Sequence, residues 1–235
     1  MIEQLRCRWI PGLAAAMLLS APLAAGADQT GGFRCLFDGK TLDGWEGKPQ
    51  FWSVRDGAIT GQTTRENPTR GNTFLIWRKG TLGDFELHLK FRIVGGNSGI
   101  QYRSVELGDF VVGGYQADFE AGDRYIGILY EERGRGILAL RGQKVIIHED
   151  GKKEVVGTTC DEKKMLASIQ KEGWNEYVII ARGNHLVQKI NGFTTVDVTD
   201  NQRSKSRSRG ILALQLHAGP PMLVQFKEIR LKELK

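Results

Sequence analysis

Along most of this chain, apolar and polar residues alternate in short runs punctuated by glycine turns. Strict alternation in Phe85-Glu-Leu-His-Leu-Lys-Phe-Arg-Ile93 and from Val224 to Leu231 predicts strands with one buried and one solvated face, as antiparallel sheets provide. Phe51–Arg55, Tyr177–Arg182 and His185–Ile190 are further runs rich in β-branched and aromatic residues, and the last two flank Gly183-Asn184. Asn191-Gly192 then reads as a tight turn into Phe193-Thr-Thr-Val-Asp-Val198. Asp38-Gly39, Asp43-Gly44, Asp56-Gly57, Gly95-Gly96, Gly113-Gly114 and Asp150-Gly151 supply more turns, and only Asp161 to Gln170 has a helical pattern. So many short strands predict an all-β protein, a sandwich or jelly roll of two packed antiparallel sheets.

Three of these runs carry polar residues in phase. Period two puts Gln101 with Arg103 in Asn97–Arg103, Gln116 with Asp118 and Glu120 in Tyr115–Glu120, and Gln215 with His217 in Leu214–His217. One such strand alone is ordinarily a solvated face. Three neighbouring ones would gather carboxylates, an imidazole, a guanidinium and amides, the inventory of a sugar-binding or acid/base site. Asp118, Glu120 and His217 are the candidates for proton transfer. The same three could instead hold a divalent cation, and the residues do not choose between these uses. An echo between Arg135-Gly-Ile-Leu-Ala-Leu-Arg141 and Arg209-Gly-Ile-Leu-Ala-Leu-Gln215 suggests that Arg141 shares the facing of Gln215. His88, His148 and His185 are expected to be structural or surface residues, and the tryptophans to be core.

The first residues change the picture. A basic start, an apolar run from Ile10 and Ala25-Gly26-Ala27 read as a secretory signal over residues 1–27, leaving 28–235 as a single domain. The protein is then expected outside the cytoplasm, periplasmic or extracellular, with no membrane span. Export would permit a disulfide between Cys35 and Cys160, which are not spaced as a metal site. The formal charge of +6 owes much to Arg203-Ser-Lys-Ser-Arg-Ser-Arg209, which has no interleaved aromatics and is expected to be a solvated loop with no nucleic-acid partner.

Leu36-Phe-Asp-Gly-Lys-Thr-Leu-Asp-Gly-Trp45, Phe51–Gly61, Asn97–Ser104, Gly114–Glu120, Gly210–His217 and Val224–Leu231, in that order, resemble the 3-keto-disaccharide hydrolase domain family over about Phe33 to Leu234. That resemblance implies a concanavalin-like jelly roll, export, and action on glycosides already oxidised to a ketone at C3. It also implies that Gln101, Arg103, Gln116, Asp118, Glu120, Gln215 and His217 line a concave site, with Tyr130–Gly136 near it and Arg135 among the substrate-binding residues. A C3 ketone acidifies the C2 proton and makes the C1 oxygen a β-leaving group. Such an enzyme needs a base at C2, donors to the enolate oxygen and an acid for the departing oxygen. Glu120 or His217 would be the base. The alternative is a non-catalytic carbohydrate-binding module on the same sandwich. A protein-interaction domain would call for a large apolar patch, which the sequence does not display.

Overall fold

A computed structural model describes residues 31–235, and the predicted signal segment lies outside them. Strands, numbered along the chain, form two sheets. The larger has ten, in the order β12 (Lys153–Thr158), β11 (Gln143–Ile147), β15 (Phe193–Asp200), β14 (His185–Ile190), β13 (Asn175–Arg182), β6 (Phe85–Val94), β17 (Leu223–Glu233), β4 (Ala58–Gln62) and β3 (Trp52–Arg55), with β1 (Arg34–Cys35) against β17. The smaller has seven: β10 (Gly136–Ala139), β9 (Leu129–Glu132), β8 (Val111–Glu120), β7 (Asn97–Gly108), β16 (Ile211–Leu216), β5 (Thr73–Trp77) and β2 (Trp45–Glu46). The paired neighbours run antiparallel except β11 and β15, which are parallel.

The expected all-β sandwich is therefore the observed fold. Alternation in β6 is complete, with Phe85, Leu87, Leu89, Phe91 and Ile93 buried and the residues between them half-buried. In β17 it is not: Val224 and Phe226 are buried, then Ile229 and Leu231, one residue out of phase. A bulge with Glu228 in the left-handed region (φ 52°) absorbs the extra residue and keeps both pairs inward. The predicted meander appears as β13, β14 and β15, and Asp161 caps the short helix α1 (Glu162–Ala167) by accepting from the Lys163 and Lys164 amides.

Between the sheets Phe119 of β8 packs on Phe91 of β6 with ring centroids 4.1 Å apart, and meets Phe226 at 6.0 Å and Tyr177 at 6.4 Å. Trp45, Trp52 and Trp77 are buried in the same core, as expected, whereas Trp174 is half-buried under the Lys227 ammonium. Because odd-numbered Tyr115, Ala117 and Phe119 face this core, even-numbered Gln116, Asp118 and Glu120 must face away, onto the free side of the seven-stranded sheet. That side divides in two. Phe74, Ile76, Val112 and Ala213 form a small dry cluster covered by Phe110, from the turn between β7 and β8; the rest is polar.

Candidate active site

The polar half is a cleft of about 420 Å³, within the usual size range of a small-molecule site. Asn97, Gln116, Asp118 and Glu120 enter it from β7 and β8, Tyr130 and Glu132 from β9, and Gln215 from β16. His217, just beyond β16, and Asn72, just before β5, stand at its rim, with Tyr125 and Ile137. The register explains the convergence. Gly99 lies opposite Asp118 and Ile100 opposite Leu214, so continuing the second register puts Gln215, Gly99 and Asp118 in one row across three strands. Gly99 is empty where a side chain would stand, and a Cβ there would meet Gln116 Cγ at 2.4 Å. The Gln116 amide fills that space. Its Nε2 donates to Asp118 Oδ2 at 2.8 Å, and its Oε1 accepts from Gln215 Nε2 at 3.1 Å.

Asp118 is almost wholly buried, and among the described residues no cation pairs with it. Burial raises its carboxyl from 3.8 to about 7, helped by the neighbouring Glu120 and Glu132 charges and opposed by hydrogen bonds from Asn97 Nδ2 (2.7 Å) and Gln116. Burial likewise pushes Glu132 above the usual carboxylate range and raises the Tyr130 phenol. Glu120 is differently placed: its Oε1 accepts from the Arg124 and Tyr125 backbone amides at 2.6 and 2.8 Å, tying down the loop that follows β8. His217 Nδ1 lies 2.5 Å from the Ala218 carbonyl oxygen. A carbonyl only accepts, so Nδ1 carries the proton, and in the neutral ring Nε2 keeps its lone pair. Asn72 supports this corner, its Oδ1 accepting from the Ala218 amide at 3.0 Å.

Gln116, Asp118, Glu120, Gln215 and His217 are thus brought together. Gln101 lies one layer behind, fully buried, its amide 2.5 Å from Gln116 Oε1, so it braces the cleft wall without lining it. Arg103 is elsewhere. β7 bulges between Tyr102 and Val105, and Arg103, left-handed at φ 46°, turns its guanidinium to the Gly83 and Gly183 carbonyls and the Asp84 carboxylate. Arg135 is also outside the cleft, locked between Glu131 (Nε to Oε2, 2.6 Å) and Asp200 (Nη2 to Oδ2, 2.7 Å). Arg141 does not share the facing of Gln215: β10 ends at Ala139, and Arg141 donates to the Asp123 and Ile126 carbonyls.

Among the described residues no three His, Cys, Asp or Glu side chains gather as a cation site, Asp118, Glu120 and His217 included. The Asp118 oxygens accept from amides and one Glu120 oxygen from backbone, so this trio does not fit the metal use. His88, His148 and His185 lie on the larger sheet or its edge and pair with Glu86, Glu154 and Asp197 at 2.6, 2.7 and 2.8 Å. Cys35 and Cys160 are unbonded thiols. The residues that phasing did not nominate are Glu132, Tyr130, Asn97 and Asn72. The first two were within reach, because Tyr130 and Glu132 share one face of β9 and Tyr130 pairs with Gln116.

A jelly-roll sandwich with one acid- and amide-lined cleft on the free face of its smaller sheet is the class that fold and site define. The chain matches the 3-keto-alpha-glucoside-1,2-lyase-like domain over residues 32–232 and belongs to that family. Two candidate glycosyl hydrolases of Parabacteroides distasonis ATCC 8503 share the fold. One has 18% identity and a TM-score of 0.56, covering 87% of this chain and 94% of that one. The other has 20% identity and a TM-score of 0.57, covering 86% and 99%. The carbohydrate-binding module CBM66 of Bacillus subtilis is similar at 14% identity and TM-score 0.53, covering 80% and 94%. No curated protein matches the chain.

Proposed function

We propose that this chain is an exported enzyme that cleaves 3-keto-glycosides by removing the C2 proton and expelling the C1 oxygen. One observation carries the reading: a carboxyl held near neutrality, Asp118 at about 7, shares a cleft with an imidazole whose Nε2 is free to accept a proton. His217 Nε2 takes the proton from C2. The C–H electron pair moves into the enolate, whose charge rests on the C3 oxygen and is met by the remaining amide N–H groups of Gln215 and Asn97. Collapse of the enolate forms the C1–C2 double bond and breaks the bond from C1 to the glycosidic oxygen, which leaves with the Asp118 proton. Addition of water across the double bond completes a net hydrolysis. Glu120 serves to anchor its loop and to hold Asp118 protonated.

The decisive experiment incubates the purified protein with a 3-keto-disaccharide and with its unoxidised parent, with and without added divalent cation. Cleavage of the keto compound alone is expected, reduced roughly 10²- to 10⁴-fold by His217→Ala. Binding of both sugars with turnover of neither would replace the enzyme by a carbohydrate-binding module. Export is tested separately, since protein recovered outside the cytoplasm should begin at Asp28.

A further inference from the structure

A second cavity, of about 450 Å³, adjoins the cleft, with Glu132 in the wall of both. Its chemistry differs. Val105 and Leu107 give it an apolar side, while Arg133, Lys205 and Arg207 bring cations to it. Arg135 also stands in its wall, but that charge is already met by Glu131 and Asp200. Lys205 and Arg207 are exposed, and among the described residues neither has a carboxylate partner; Arg133 has only Glu132, at 3.7 Å.

The loop carrying Lys205 and Arg207 is built, not merely solvated. The Lys205 and Ser206 amides both donate to the Gln202 carbonyl, at 2.9 and 2.8 Å, and Gln202 Oε1 accepts from Arg135 Nη1 at 3.1 Å. The buried Arg103 guanidinium reaches the Arg207 carbonyl at 3.5 Å. The two arginines that do not enter the cleft thus hold the basic loop beside it.

Resting on the reading of the cleft as a keto-glycoside site, we infer that this second cavity is a subsite for an anionic group on the part of the substrate beyond the keto-sugar ring. A ring at Asp118 and His217 would extend past Glu132 into it. An apolar wall faced by three under-compensated cations suits a carboxylate, sulfate or phosphate on an apolar frame. A neutral sugar would leave those cations without partners.

The test uses two 3-keto-glucosides of equal size, one with a 4-carboxyphenyl and one with a 4-carboxamidophenyl leaving group. The full chain is compared with Lys205→Ser/Arg207→Ser and with Lys163→Ser/Lys164→Ser, which removes the same charge from exposed helix positions. At low ionic strength the wild type should favour the carboxylate in kcat/KM by about tenfold, as two partly exposed ion pairs allow. That ratio should fall to about one in the first variant, persist in the second, and shrink with added salt. No preference in the wild type, or a preference the first variant keeps, overturns the subsite. If neither compound is turned over, the proposed function fails, and the subsite is then decided by Kd values for the unoxidised pair. A carboxylate preference lost in the first variant supports it, and equal affinities overturn it.

Discussion

Asp118 is where burial and chemistry meet most sharply. Its folded-state value of about 7 lies above the 3.8 of an exposed aspartate, so the folded chain binds that proton more tightly than the unfolded one. Stability must therefore decline as pH rises from about 4 through about 7 and level off above. By linkage the whole effect is at most about 4 kcal/mol. Asp118→Asn cannot ionise and escapes this loss. In urea denaturation its stability relative to wild type should climb between pH 4 and pH 8 by up to that amount, while turnover falls by roughly 10²-fold or more. A pH-independent difference would show that Asp118 titrates normally. In the wild type, kcat/KM should drop above about pH 7 as the acid loses its proton. The presence of this residue was readable from strand phase, and two close carboxylates raise one another's proton affinity, but which of Asp118 and Glu120 holds a proton was not readable, because that depends on which neighbours bury it. Gln116 shares the strand and face of Asp118, but Asn97 supplies an amide from β7 and Glu132 a like charge from β9, and only pairing between strands puts those two there.

At the scale of elements, β8 and β7 show when a period of two can be trusted. From Tyr115 to Glu120, β8 runs opposite regular partners on β7 and keeps Gln116, Asp118 and Glu120 on one face. β7 bulges at Arg103, so the side chain that phasing assigns to the cleft turns away. Gly210 makes room for that bulge. A Cβ on Gly210 would meet the Arg103 carbonyl carbon at 2.4 Å, so the bulged backbone presses against a residue with no side chain. Gly210 lies more than a hundred positions along the chain, and nothing local to β7 announces it. Arg103 should accordingly act on stability. Arg103→Lys keeps the charge but cannot reach the Gly83 and Gly183 carbonyls and Asp84 together, and about 2–4 kcal/mol of unfolding free energy should be lost. With a neutral keto-glycoside, kcat/KM per folded molecule should stay within about twofold, since single polar contacts to a reacting group cost more than this. A collapse of kcat/KM at unchanged stability would return Arg103 to the substrate.

For the molecule as a whole, the class of fold was legible because turn glycines and alternating runs recur along the chain, whereas the parallel pairing of β11 with β15 depends on contacts that no local pattern marks. The cysteines illustrate the same divide. An exported chain permits a bond between Cys35 and Cys160, but Cys35 lies on exposed β1 at the β17 side of the larger sheet, and Cys160 beside the cap of α1, partly buried against the core. Both remain thiols. A bond closing so long a loop would add about 5 kcal/mol in the chain-entropy account. At roughly 2–4 °C per kcal/mol for a domain of this size, that is a Tm rise of about 10–20 °C. The fold does not depend on it, because one apolar core extends between the two sheets, from Leu36 near the start of the described residues to Leu231 near their end. Thermal unfolding of the chain from Asp28 onward, which lacks Cys7, should give the same midpoint with and without reductant. A fall of about 10 °C or more on reduction would mean that the two thiols are bonded in solution and that β1 and the α1 cap approach each other more closely than they do in this structure.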